Sequence, residues 1–182
     1  MNLYAATERL MGMSDAVWAR HANPWSVWSR FTCLPLIILA IWSRVWIGGW
    51  AWVLLGAALV WTWANPRAFA PPASFDTWAS RAVLGERVFL NVGRDQIPAH
   101  HLHATRMLSG VSAVGVLPLA WGLTTLDPTL TALGTVLTIL PKVWFCDRMV
   151  WLYADMTGNR PGMELPGPVL PNIPNPENGD PR

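Results

Sequence analysis

Three of the chain's four histidines fall within four positions, in the stretch IPAHHLHATRM at Ile97–Met107. Imidazole titrates near neutrality and, when neutral, ligates transition metals. Pro98 suits the first position of a helix that runs into the apolar stretch beyond it. His100, His101 and His103 then fill the opening turn, and His100 and His103, three apart, share a face. A helix N-terminus opposes positive charge, which favours the neutral, metal-binding ring. His21 falls at the start of another helix at the same membrane level, where Glu86, Asp95, Asp147 and Asp155 are the available carboxylates. One reading is a divalent-metal site of His100 and His103, completed by His21 or Asp147. The other is a set of polar interfacial histidines with no ligand, since a second ligand cluster is missing. The histidines are too few for a desaturase-type di-iron centre, and too near the surface for a b-type haem between spans.

Asp147 carries a similar choice. In WFCDRMVWLYADM, Asp147, Trp151 and Asp155 are four apart and drift along one side of a helix. Asp147 either orients a histidine or holds a metal, or it pairs with an arginine from another helix such as Arg30 or Arg106, as charges at membrane level usually do.

The elements that must position these groups belong in a bilayer. Charged residues make up 13% of the chain, against about 25% in soluble domains. Apolar residues reach 52% and include 13 tryptophans, more than a soluble domain of 182 residues can hide. A net charge of +2 without a basic run gives no reason to expect nucleic acid. Cys33 and Cys146 do not form a disulfide framework. The first 22 residues carry Glu8, Arg9, Asp15 and Arg20 and lack a continuous apolar run, so no cleavable signal peptide is expected.

Four apolar segments follow: FTCLPLIILAIWS, WIGGWAWVLLGAALVWTWA, MLSGVSAVGVLPLAWGLTTL and PTLTALGTVLTILPKVWF. Short links predict two helical hairpins. The first segment is short for a bilayer, which needs about 20 residues, and a half-span stays open. Asn23-Pro24 and Asp127-Pro128 read as helix starts, and Asn65-Pro66 offers a third. Pro35, Pro118 and Pro141 should kink their helices. Arg9, Arg20 and Arg30 precede the first span. Arg67, Arg81, Arg87, Arg94 and Arg106 fill the middle, and Lys142, Arg148, Arg160 and Arg182 follow the fourth. Positive charge therefore puts both termini and the middle segment in the cytoplasm. Lys142 is close enough to the cytoplasmic end of its run to snorkel outward. No span carries a central acid, which disfavours a small-solute carrier coupled to ions. Tryptophans toward the segment ends read as aromatic belts.

The expected fold is an all-α membrane protein: four transmembrane helices in two hairpins plus cytoplasmic interfacial helices. Residues 1–23 form an amphipathic surface helix, and residues 24–157 the membrane domain, with a cytoplasmic middle segment at 65–106. A second surface helix falls at 75–90, where Gly85 weakens the case for continuation to Phe89. Residues 158–182 form a proline-rich disordered tail. Walker, dinucleotide, nucleophile-elbow and zincin motifs are missing.

The stretches WARHANPWSVWSR, IWSRVWIG, WTWANPR, WASRAVLGERVFLN, IPAHH and VWFCDRMVWLYADM resemble a family of small bacterial membrane proteins known only as a domain of unknown function. The resemblance spans about residues 12–157, and RHANPWSVWSR and DRMVWLY are its most specific parts. It implies a multi-pass protein of the inner membrane and supplies no activity, cofactor or catalytic residue. The functional expectation is a non-enzymatic scaffold or accessory subunit, with the bilayer and either a second copy or a larger membrane complex as partners. The alternative is a metal-binding protein or enzyme with a His/Asp site at the cytoplasmic face. No cofactor is expected beyond a divalent metal in that alternative.

Overall fold

The computed structural model describes residues 12–158. The expected start of the N-terminal helix and the proline-rich tail lie outside the described residues. Among these residues the regular elements are helical: α1 (Asp15–His21), α2 (Pro24–Arg30), α3 (Cys33–Trp42), α4 (Arg44–Ile47), α5 (Ala51–Ala64), α6 (Trp78–Asn91), α7 (Ala99–Thr125) and α8 (Pro128–Gly158). Short 3-10 turns at Gly48–Trp50 and Asn65–Arg67 flank α5. Three runs are long and apolar enough to cross a membrane: Pro24–Arg67, Ala99–Thr125 and Pro128–Gly158.

The first of these runs folds back on itself. Arg30 Nη1 donates to Thr62 O at 3.2 Å, and Asn65 Nδ2 donates to Ser29 Oγ at 2.8 Å. The ends of the run therefore meet, and α3 packs along α5. At the reversal, Arg44 donates to the carbonyls of Leu123 and Thr124, the latter at 3.1 Å. These carbonyls belong to the last turn of α7, where a helix leaves acceptors unsatisfied. The reversal thus sits beside the α7–α8 turn.

The helix starts follow the local chemistry expected of them. Asn23 Oδ1 accepts from Trp25 N at 2.9 Å, with Pro24 as the first helical residue. Asp127 Oδ1 accepts from Leu130 N at 2.9 Å ahead of α8. Helices α7 and α8 continue through Pro118 and Pro141.

Helices α7 and α8 form the tightest pair in the structure. A Cβ on Gly134 would lie 2.2 Å from Leu119 N, so the backbones meet there only because glycine has no side chain. The α7 stripe that faces inward is His101, Thr105, Leu108, Gly115, Leu119 and Gly122, all buried. Helix α6 clamps onto the other end of α8. A Cβ on Gly85 would lie 1.9 Å from Met149 O. Gly85, expected to weaken this helix, instead lets it lie against α8 and run on to Asn91. Phe89, Phe145, Met149 and Leu152 make the core beneath it, and Trp18, Ala22 and Val83 tie in α1. Arg87, buried on α6, pairs with Asp15 of α1.

The outer surface is strongly apolar. Trp25, Trp46, Trp50, Trp52, Trp121 and Trp144 are all more than half exposed. Contiguous exposed aromatic and aliphatic surface of this kind is rare against water and ordinary against lipid.

Candidate functional site

Two polar constellations are built on α8. The first forms where α7 begins and α8 ends. His101 lies on the inward stripe of α7 and is 1% exposed, while Asp155 comes from the last turn of α8. The Nε2–H of His101 donates to Asp155 Oδ2 at 2.8 Å, since a carboxylate only accepts. His100 Nε2 approaches the same oxygen at 3.8 Å, and the two imidazoles lie 4.1 Å apart between centroids. One ligand atom from each of His100, His101 and Asp155 falls within 4.8 Å of the others. His100 and Asp155 reach solvent, so the cluster is walled by protein on the His101 side and open on the other.

Among the described residues, His101 Nδ1 and Thr105 Oγ1, one turn apart on the same face, are buried without a hydrogen-bond partner, as is Arg148 Nε on α8. Orphaned polar atoms at this density call for an explanation, because buried polar groups are nearly always paired.

Sequence spacing had nominated His100, His103, His21 and Asp147. The structure brings only His100 of these into the cluster. His103 is exposed. His21 is buried elsewhere, with Nδ1 2.9 Å from Ser26 Oγ. Asp147 accepts from Trp78 Nε1 at 3.2 Å, and its nearest cation is its neighbour Arg148 at 4.0 Å, not Arg30 or Arg106.

The second constellation lines a cavity of about 500 Å³ between α1, α2, α3, α5, α6 and α8. Its polar groups are His21, Arg30, Glu86 and Lys142, and both cysteines border it, buried and free. Lys142 is half exposed and turns toward Glu86. Its Nζ reaches Glu86 Oε1 at 3.4 Å and lies 4.3 Å from the centre of the Phe145 ring. Burial alone would raise the Glu86 carboxyl. The Lys142 charge, then His21, a hydrogen bond from Lys142 and Arg30 outweigh burial and hold it below its ordinary value. Burial, reinforced by Arg30, pushes the His21 imidazole down to about 4, so it is neutral at neutral pH. Glu86 was legible only as a carboxylate at membrane level. Nothing in the sequence places it against Lys142, because the contact depends on how α6 docks.

A family model described as a family of unknown function, DUF6653, matches residues 4–168. No curated protein and no solved structure matches the chain.

Proposed function

We propose, for a chain that belongs to a family of unknown function (DUF6653), a multi-pass membrane protein that holds a divalent transition-metal ion through His100, His101 and Asp155. The observation that carries this is the convergence of two imidazoles and one carboxylate on one point. An ion bound at ordinary lengths of about 2.0–2.2 Å sets its ligand atoms roughly 3.0–3.5 Å apart. The distances of 2.8 Å and 3.8 Å bracket that range, so small side-chain rotations suffice. Two nitrogens and an oxygen suit zinc, iron(II), cobalt or manganese. The open side leaves positions for water or a small ligand, unlike a closed structural site.

The threading that goes with this reading is four spans in two hairpins in a bacterial inner membrane, with the termini and the middle segment cytoplasmic. The fold-back of Pro24–Arg67 and the Arg44 contacts to the α7 end support it by bringing both hairpin tips to one level. Arg30, Arg67 and Arg94 flank the opposite ends of α3, α5 and α7, as positive charge does on the cytoplasmic side. From His101 to Leu123 along α7 is about 33 Å, close to the roughly 30 Å hydrocarbon thickness. The cluster therefore falls at the cytoplasmic edge. An alkaline phosphatase reporter inserted at Gly49 or Thr125 should be active, and one after Arg94 silent. Activity after Arg94 would overturn the orientation.

Metal content decides the ligand assignment. Protein purified without a polyhistidine tag should retain close to one equivalent of a divalent metal by mass spectrometry after brief loading and desalting. Asp155→Asn should lower that affinity by about 100-fold or more, since even partners behind the ligands are worth 10–100-fold. Equal loading of the two proteins would refute the site.

A second reading, the scaffold or accessory subunit, is favoured by the outer face of α5. Gly56 there has no neighbour within 4 Å, between exposed Trp52 and Val60. A particle mass in detergent that fits several 20.2 kDa chains would support it. A strictly monomeric particle with no co-purifying subunit would count against it.

A further inference from the structure

We propose that the cavity beside Lys142 binds a single-chain anionic lipid, an acyl chain ending in a carboxylate, taken from the surrounding bilayer. The charge balance of the lining carries the first half of the argument. Glu86 and Lys142 offset each other. His21, buried beside Ser26 and held neutral by that burial, adds no charge. Arg30 is then the uncompensated cation. Its only hydrogen bond is to the Thr62 carbonyl, and no carboxylate pairs with it among the described residues. A guanidinium presents five donors in a planar fork that fits a carboxylate. Leaving it unpaired beside an apolar cavity is costly, and an anionic headgroup removes that cost.

The shape of the lining carries the second half. Arg30, at the end of α2, and Leu34 and Ile37, on α3, border the same cavity. The lining thus passes from the cation to the aliphatic side chains of α3. Phe31, Val83 and Leu90 continue the apolar walls. A mostly apolar cavity of about 500 Å³ with a few polar groups is the usual form of a small-molecule site. It matches an amphiphile better than a free anion, which would leave the aliphatic walls unused. Helix α3 turns Leu36 and Leu39 outward, so the cavity wall is itself a lipid-facing helix and the ligand source is adjacent. This site needs no metal and stands apart from the cluster at Asp155.

The test uses the full chain in nanodiscs of zwitterionic lipid at pH 8, with palmitate carrying a mid-chain diazirine as the probe. The methyl ester of the same probe is the neutral comparison, and excess acetate is the chain-free one. Photolabelling should map to peptides around Leu34–Ile37 and Ala82–Leu90, at least tenfold above the ester, and acetate should not compete. Arg30→Gln should reduce palmitate labelling to the ester's level and leave ester labelling unchanged. Ile37→Trp, which fills the cavity without touching a charge, should suppress labelling of both peptides even if the first variant folds poorly. Equal labelling by acid and ester would overturn the proposal. So would labelling spread over the lipid-facing helices, or labelling unaffected by Ile37→Trp.

Discussion

At the end of α8 the Asp155 carboxylate meets two imidazoles beside open solvent. About 20 Å back along the same helix, Lys142 meets Glu86 at the edge of an apolar cavity. The first region gathers donors of one chemical kind, all able to share a cation. The second mixes signs and is dominated by aliphatic walls. A carboxylate on each side thus meets different partners, imidazoles in one region and a lysine in the other. In the reading proposed above, an open cluster of two imidazoles and one carboxylate would hold a cation. A semi-enclosed cavity with one unmatched arginine would instead take the proposed anion with an apolar tail. The two regions also depend on different packing. The cluster stands on the α7–α8 pair, whereas the cavity needs α6 and α1 in place.

The widest separation between the regions should come at Gly85. Any side chain there drives into the Met149 carbonyl, where backbone cannot yield as a flexible side chain would. Gly85→Ala should cost about 3 kcal/mol in thermal unfolding followed by tryptophan fluorescence, the upper end for overpacking. Lipid labelling should fall with it while metal loading persists, because α7 and α8 pack without α6. Loss of both functions together would show that the regions are not independent.

Acid should act on the cavity next. His21 faces Arg30, Glu86 and Lys142, and its folded value of about 4 lies below its ordinary 6.5. Between those values the unfolded chain binds the extra proton, so stability rises with pH across that window. The full contribution is present above pH 6.5 and is lost as pH falls. Between pH 7.5 and 5 the loss should be about 2 kcal/mol, and His21→Gln should flatten that part of the profile. An unchanged slope in the variant would place the acid sensitivity elsewhere.

The smallest effect should come from the Glu86–Lys142 pair. Lys142 is half exposed, so its screening is substantial and the pair is worth little. Glu86→Gln should cost about 1 kcal/mol, and adding Lys142→Met should recover most of it, because the penalty is an unpaired charge rather than a lost attraction. A double variant worse than the single one would contradict this.

Much of the helical plan was legible in the sequence because it depends on neighbours in the chain. Asn23-Pro24 and Asp127-Pro128 mark helix starts through their own side chains, and the buried stripe of α6 follows helical spacing. The site was legible only in part. The i, i+3 rule selected His100 and His103, yet the residue turned toward α8 is His101. A better signal was present. Counting back from Leu119 and Leu108 by alternate threes and fours reaches Thr105 and then His101, the stripe that packs on α8. Asp147 looked suited to a site because it is a carboxylate at the membrane level of the histidines, but its side chain serves the Trp78 indole on α6. Which carboxylate faces a histidine depends on the offset between two antiparallel helices, and single-helix spacing carries no information about that offset. The cavity was hidden for the same reason: its lining comes from six separate helices.

The distinction between His101 and His103 also provides the most direct test of the metal site. Cobalt(II) titrated into the purified full chain, with visible absorption as the readout, reports the geometry of bound nitrogen and oxygen ligands. The account predicts a saturable spectrum at one equivalent that is retained in His103→Ala and lost in His101→Ala. A spectrum lost in His103→Ala and retained in His101→Ala would contradict it, and so would the absence of any saturable binding.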